Sequence, residues 1–185
     1  MKDMNETLST IAKRFSCRGF DGKPVSREQQ EAIALAALQA PSGMNLQPWQ
    51  LVVINDKSLI EEMDCEGMRI ISTWEDNSVY ERFMARGGTL FYDAPCMFVI
   101  QMRHGKELDC GIMAQNIALA ASSLGLGNVI CGMARIPLSG SRGSEFMEKI
   151  GFQEGWEFGM SVLVGHGTVA NAPHKPDMSK LSFVD

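Results

Sequence analysis

Ala40-Pro41-Ser42-Gly43-Met44-Asn45-Leu46-Gln47-Pro48-Trp49 joins a helix to a strand. Ahead of it, an Ala-rich run through Ile33, Leu35 and Leu38 follows a helical period, and Ser26 with Gln29 has the spacing of a capping box at its start. Behind it, Gln50-Leu51-Val52-Val53-Ile54-Asn55 is short and β-branched, the signature of a strand. Pro41 stops the helix, because the residue before a proline is pushed out of the helical region. The two prolines stiffen the turn. Ser42, Asn45, Gln47 and Gln50 offer directed hydrogen bonds from it, which suits reading the polar rim of a planar ring. Read more plainly, the stretch is a stiff turn with Trp49 as a core anchor, and Trp49 takes that role in either reading.

Toward the N-terminus, Leu8, Ile11, Ala12 and Phe15 share one face of a helix expected from Asn5 to Phe15. Arg14-Phe15-Ser16-Cys17-Arg18 then brings two guanidiniums and a hydroxyl to the end of that helix. Arginine forks match phosphate geometry, although basic residues also simply favour a helix C-terminus. Toward the C-terminus, Asp56 can cap a helix carrying Leu59, Ile60, Met63, Ile70 and Ile71, and another carries Tyr80, Phe83 and Met84. Pro95 to Gln101 is almost wholly apolar and reads as a strand inside a sheet. A long helix is expected from Leu108 to Leu124, with Gly125 as its stop, then a strand from Asn128 to Met133. A short helix from Gly143 to Ile150 and a strand from Met160 to Gly165 complete the elements. The order does not alternate as in a doubly wound protein, so one α+β domain over residues 1–185 is expected, with residues 166–185 as an extended arm.

Composition narrows the function. A net charge of −5 argues against a general nucleic-acid binder, while a local arginine cluster still suits a small anion. Five cysteines without a C-x-x-C pair, and no leader at Met1-Lys2-Asp3, point to a reducing cytoplasm. No apolar run is long enough to cross a bilayer. The three histidines are scattered and no metal-ligand spacing occurs. The glycines at 125, 127 and 132 miss the dinucleotide fingerprint, and no phosphate loop or serine-hydrolase elbow is present. Gly132, at a strand end, would let a ligand approach the backbone. Cys17 reads best as a small buried thiol, Asp109 as a helix-start acid and Asn116 as a packing or capping amide.

Taken in order, these stretches resemble the nitroreductase family of flavoproteins. Arg14-Phe15-Ser16-Cys17-Arg18 is similar to the family's Arg-x-Ser-x-Arg, and Pro41 to Trp49 to its Pro-Ser-x-x-Asn-x-Gln-Pro-Trp. The helix with Gln115-Asn116 and the turn Gly125-Leu126-Gly127 match its centre. Val164-Gly165 and His174-Lys175-Pro176 match its closing segment and tail. The resemblance implies a three-layer α/β/α fold with a mixed, mainly antiparallel sheet, in an interlocked homodimer. It implies FMN at the subunit interface, reduced by NAD(P)H and reoxidised by a nitroaromatic, quinone or similar small acceptor. Arg14, Phe15, Ser16, Arg18 and Lys175 would lie at the phosphate and ribityl chain. Pro41, Ser42, Gly43, Asn45 and Gln47 would come from the other subunit. The backbone of Ile130, Cys131 and Gly132 would run along the ring. No protein residue is then needed as an acid or base, since the cofactor carries the chemistry. Three departures stand out: Phe15 replaces a frequent basic residue, Asp177 replaces the tail arginine, and the longer helical insertions are absent. The first two leave open a flavin-binding module without turnover, and the scaffold also suits an enzyme that consumes flavin or acts on an unusual organic substrate.

Overall fold

A computed structural model describes residues 4–184. Four strands form one sheet in the order β1-β2-β4-β3, with β1 Trp49–Ile54, β2 Cys96–Met102, β3 Gly127–Cys131 and β4 Glu157–Gly165. Every ladder among the described residues is antiparallel, so the expected mixed character is not found among them. β2 is central and wholly buried, as its unbroken apolar run implies.

The sheet divides the core in two. In β2, Cys96, Phe98, Ile100 and Met102 point to one face and Met97 and Val99 to the other, the period of two that a strand imposes. The first face packs on α2 (Arg27–Leu38) and α5 (Glu107–Ser123), through Ile33, Ala37, Met113 and Ile117. The second packs on α3 (Lys57–Ile71), α4 (Ser78–Met84), α6 (Arg135–Ser139) and α7 (Gly143–Ile150), through Ile60, Met63, Phe83, Leu138 and Phe146. The result is the expected three layers. Asn116 ties two helices of one layer together, its Nδ2 donating to Ala36 O at 3.0 Å, the packing amide read from sequence. Trp49 is buried, as expected of an anchor.

Local signals set most boundaries. Ser26 and Gln29 form the capping box of α2, and Asp56 caps α3 by accepting from the N–H groups of Ser58 and Leu59. Differences arise where local signals conflict. α1 (Glu6–Lys13) ends two residues earlier than expected, and its apolar face is not buried: Leu8 and Ile11 are exposed. β3 stops at Cys131 because Gly132-Met133-Ala134 turns into α6, a helix hidden in the sequence by Pro137. Pro137 is tolerated because the first turn of a helix needs no N–H partner. β4 begins at Glu157, three residues early, with an irregular register opposite Ile100 and Gln101.

The arm after β4 is extended and exposed except at its root. There Asp21 N–H donates to His166 O, and Thr168 N–H to Gly19 O, both at 3.0 Å. Among the described residues its only helical element is the short 3-10 turn Met178–Lys180.

Phe98→Ala should cost about 3–5 kcal/mol, the range for emptying a fully buried aromatic site. Ser26→Ala should cost about 1 kcal/mol, the usual loss of an N-cap. Urea denaturation of both variants gives the comparison, and a capping loss as large as the core loss would contradict this layering.

Candidate functional site

β3 is an edge strand, and its register decides what it shows to the outside. Asn128 C=O accepts from Cys17 N–H at 2.8 Å, so Asn128 turns its backbone polar groups away from β4. Alternation along an antiparallel ladder then turns Ile130's N–H and C=O outward as well, while Cys131 faces β4. There the Ser161 hydroxyl donates to Cys131 O. The N-terminal segment covers the start of this edge and leaves its end open.

That end has the character of a ligand platform. Ile130 is 36% exposed, while Asn128, Val129 and Cys131 of the same strand are buried. A Cβ on Gly132 would meet nothing nearer than Met160 Sδ at 4.0 Å. Arg14 is half-buried as the C-cap of α1, Ser16 is half-buried, and Arg18 is exposed. Arg18 Nη1 lies 3.5 Å from Ser16 O. The Cys17–Asn128 bond brings Arg14 to Arg18 beside β3 two residues before Ile130. Phe15 packs its ring against the core, which accounts for an apolar residue at that position.

Beside Arg14 opens a cleft of about 460 Å³, lined by Lys13, Phe15, Ser122, Ser123 and Asn128 among others. Asn128 donates from Nδ2 to Ser122 Oγ at 2.9 Å, and its buried Oδ1 has no partner.

The turn from Pro41 to Gln47 is built from its own side chains. Gln47 N–H donates to Ser42 Oγ at 2.9 Å, and Gln47 Nε2 to Asn45 Oδ1 at 3.2 Å. Met44, Asn45 and Gln47 all have positive φ, between 47° and 54°, a conformation uncommon for residues other than glycine. Gly43 N–H donates to Asp109 Oδ1 at 3.3 Å, so the helix-start acid of α5 also anchors this turn. Pro41, Gly43, Asn45 and Gln47 are exposed, and Met44 is 89% exposed. Among the described residues, no hydrogen bond joins this turn to Arg14–Arg18 or to β3. The chain thus does not join its two groups of candidate residues by direct hydrogen bonding.

Lys175 is exposed in the arm. Asp177 is engaged locally: its Oδ1 accepts from Ser179 N–H at 3.1 Å and from Ser179 Oγ at 2.7 Å. These bonds lower its pKa.

All five cysteines are free. Burial pushes the Cys131 thiol up to about 11 and Cys96 up to about 12, and it also raises Cys17. Cys17 is the buried thiol expected from sequence. No group of ligating side chains suited to a metal ion occurs among the described residues, and no described helix is long and apolar enough to cross a membrane.

The three layers, the amide-rich turn and the open edge together define an α+β domain with a candidate ligand-binding edge. The nitroreductase family model matches residues 11–166, and the chain belongs to that family. A nitroreductase with bound FMN from Desulfitobacterium hafniense is 48% identical, with a TM-score of 0.96 over 99% of this chain and 100% of that one. The NADPH-flavin oxidoreductase of Vibrio harveyi is 30% identical over 165 residues, which are 88% of this chain and 66% of that protein. The oxygen-insensitive NADPH nitroreductase of Salmonella typhimurium is 31% identical over 134 residues, 71% of this chain and 55% of that protein. The chain therefore spans just under two thirds of the first of these curated relatives and little more than half of the second.

Exposure and thiol chemistry give a direct check. Cys65 is the exposed cysteine, and the other four are buried. A thiol reagent at pH 8 should label one cysteine in the folded protein and all five in denaturant. Rapid labelling of Cys131 in the folded state would contradict the packing at the end of β3.

Proposed function

We propose that this protein is an FMN-dependent oxidoreductase that takes reducing equivalents from NAD(P)H and passes them to a small nitroaromatic, quinone or similar acceptor. The observation that carries this reading is the open end of β3, with outward-facing backbone groups at Ile130, room beside Gly132, and arginines at hand. A planar ring with polar edges needs such an edge, and a phosphate needs such guanidiniums. The residues present therefore fit FMN. The Desulfitobacterium hafniense protein, described with bound FMN, supports the reading at 48% identity.

When bound, FMN supplies the hydride and electron chemistry. The chain's own residues bind and orient. Arg14, Ser16 and Arg18 hold the phosphate and ribityl end, and Lys175 adds a cation from the arm. Ile130, Cys131 and Gly132 align the ring edge. Pro41, Ser42, Gly43, Asn45 and Gln47 contact it from a second copy of the chain. Their turn is preshaped, so little ordering is required on binding.

A homodimer follows from the same reading. Leu8 and Ile11 on α1, Leu35 and Leu38 on α2, and Met44 and Leu46 on the turn are all exposed. Apolar side chains left uncovered in this number mark an interaction surface. The free thiols support a reducing compartment such as the cytoplasm.

Purified protein should show the yellow absorption of bound flavin, and NADH or NADPH should bleach it. A flavin that stays oxidised with both donors would leave a binding module without turnover. Asn45→Ala should weaken FMN binding by about 1 kcal/mol or more, as expected for a lost polar contact, and more than Trp49→Phe does. Equal FMN affinity in wild type and Asn45→Ala would remove Asn45 from the site. Sedimentation of the FMN-loaded protein should show a dimer, and a monomer with FMN bound would contradict a shared site.

A further inference from the structure

Asp64 lies one turn after Ile60 on α3, beside the helix's buried stripe of Ile60, Met63, Gly67 and Ile71. A carboxylate there must find partners. It finds them in the connection that leads to β2: Leu90 N–H donates to Oδ1 at 2.7 Å and Phe91 N–H to Oδ2 at 3.2 Å. Both oxygens accept, the arrangement of an ionised carboxylate. Burial pushes its pKa up, the two amide donors oppose that shift, and the charges of Asp93 and Glu61 add to the rise.

The connection held in this way is a tight, strained turn. Ala94 N–H donates to Phe91 O at 3.0 Å, closing a turn over Tyr92 and Asp93, whose φ values are 56° and 60°. Two successive left-handed residues without glycine need outside support. Thr89 gives some of it, its Oγ1 accepting from Tyr92 N–H at 2.6 Å, and Asp64 gives more. The turn also reaches the end of β3, where Leu90 O lies 4.0 Å from Cys131 Sγ. Asp64, Leu90 and Cys131 therefore form a contiguous path from α3 to the open edge. Burial is the main cause that raises the Cys131 thiol, and the charge of Asp64 adds to it while Arg18 opposes it.

We propose that Asp64 is a positioning residue for the flavin ring, acting through the turn over residues 89–93 to hold the end of β3 in shape and placing a half-buried negative charge behind it. This rests on the flavin reading given above. The two effects separate. Geometry governs how tightly oxidised FMN binds. Charge governs the midpoint potential, because a nearby anion disfavours the added electrons of reduced flavin.

The test uses the full chain loaded with FMN, as wild type, Asp64→Asn, Asp64→Ala and Thr89→Val. FMN dissociation constants come from fluorescence titration, midpoint potentials from dye equilibration, and melting temperatures from the flavin-free proteins. Asp64→Ala should weaken FMN binding about tenfold or more, the scale of a lost charge-assisted hydrogen bond. Thr89→Val should weaken it in the same direction. Asp64→Asn keeps the shape and one acceptor, so it should lose less affinity yet raise the midpoint potential. If Asp64→Ala fails to fold, Asp64→Asn and Thr89→Val decide. Variants with wild-type affinity and potential, and only a lower melting temperature, would overturn the role of Asp64. A wild type that binds no FMN would overturn the flavin reading and this proposal together.

Discussion

The hydrogen bond from Cys17 N–H to Asn128 C=O fixes the face that β3 turns outward. A strand shifted by one residue would present the opposite set of backbone groups. The same segment that makes this bond carries Arg14, Ser16 and Arg18 to the edge. A few residues on, it pins the root of the C-terminal arm through Gly19 and Asp21. The packing at the crossing is tight. A Cβ on Gly127 would lie 2.8 Å from Cys17 Sγ and 3.2 Å from Gly167 Cα, so only glycine fits beside the thiol. Edge strands usually need protection, because unpaired backbone groups recruit other chains. Here the N-terminal segment protects the start of β3 and the turn into α6 ends it, leaving a stretch long enough for a small ring.

How much of this the sequence discloses depends on how local the cause is. The apolar run of β2 announces a central strand because burial on both faces removes alternation. The capping box of α2 and the Asp56 cap of α3 are encoded within four residues. Pro41 to Trp49 and Arg14 to Arg18 are legible as motifs for the same reason. α6 is not, since Pro137 argues against a helix unless its place in the first turn is known. The exposed face of α1 is also hidden, because a helical period shows that an apolar face exists and not what covers it. The clamp of Asp64 on Leu90 and Phe91 joins residues 26 and 27 apart. No spacing rule connects them. The one trace is a carboxylate beside an apolar stripe. Asp109 is half legible: the sequence shows a helix-start acid and not its bond to Gly43.

Asp177 illustrates how a departure from a family pattern changes meaning in context. In sequence it stands where a phosphate-binding cation is expected, and its charge looks repulsive. In the fold its carboxylate accepts from Ser179 and lies 3.9 Å from Lys180 Nζ. The charge is spent within the arm's own turn. Lys175, two residues earlier, is the cation that the arm offers outward.

The turn at Ser42 to Gln47 has a further consequence, for rates. Its amides and hydroxyl already satisfy one another, and its left-handed residues are already in place. A surface of this kind would meet a partner in finished form. In the dimer proposed above, encounter between two copies would be governed by diffusion and orientation, without a slow folding step in the turn. Flavin entering such an interface would meet both walls at once, and its lifetime there would be set by how often the two subunits part.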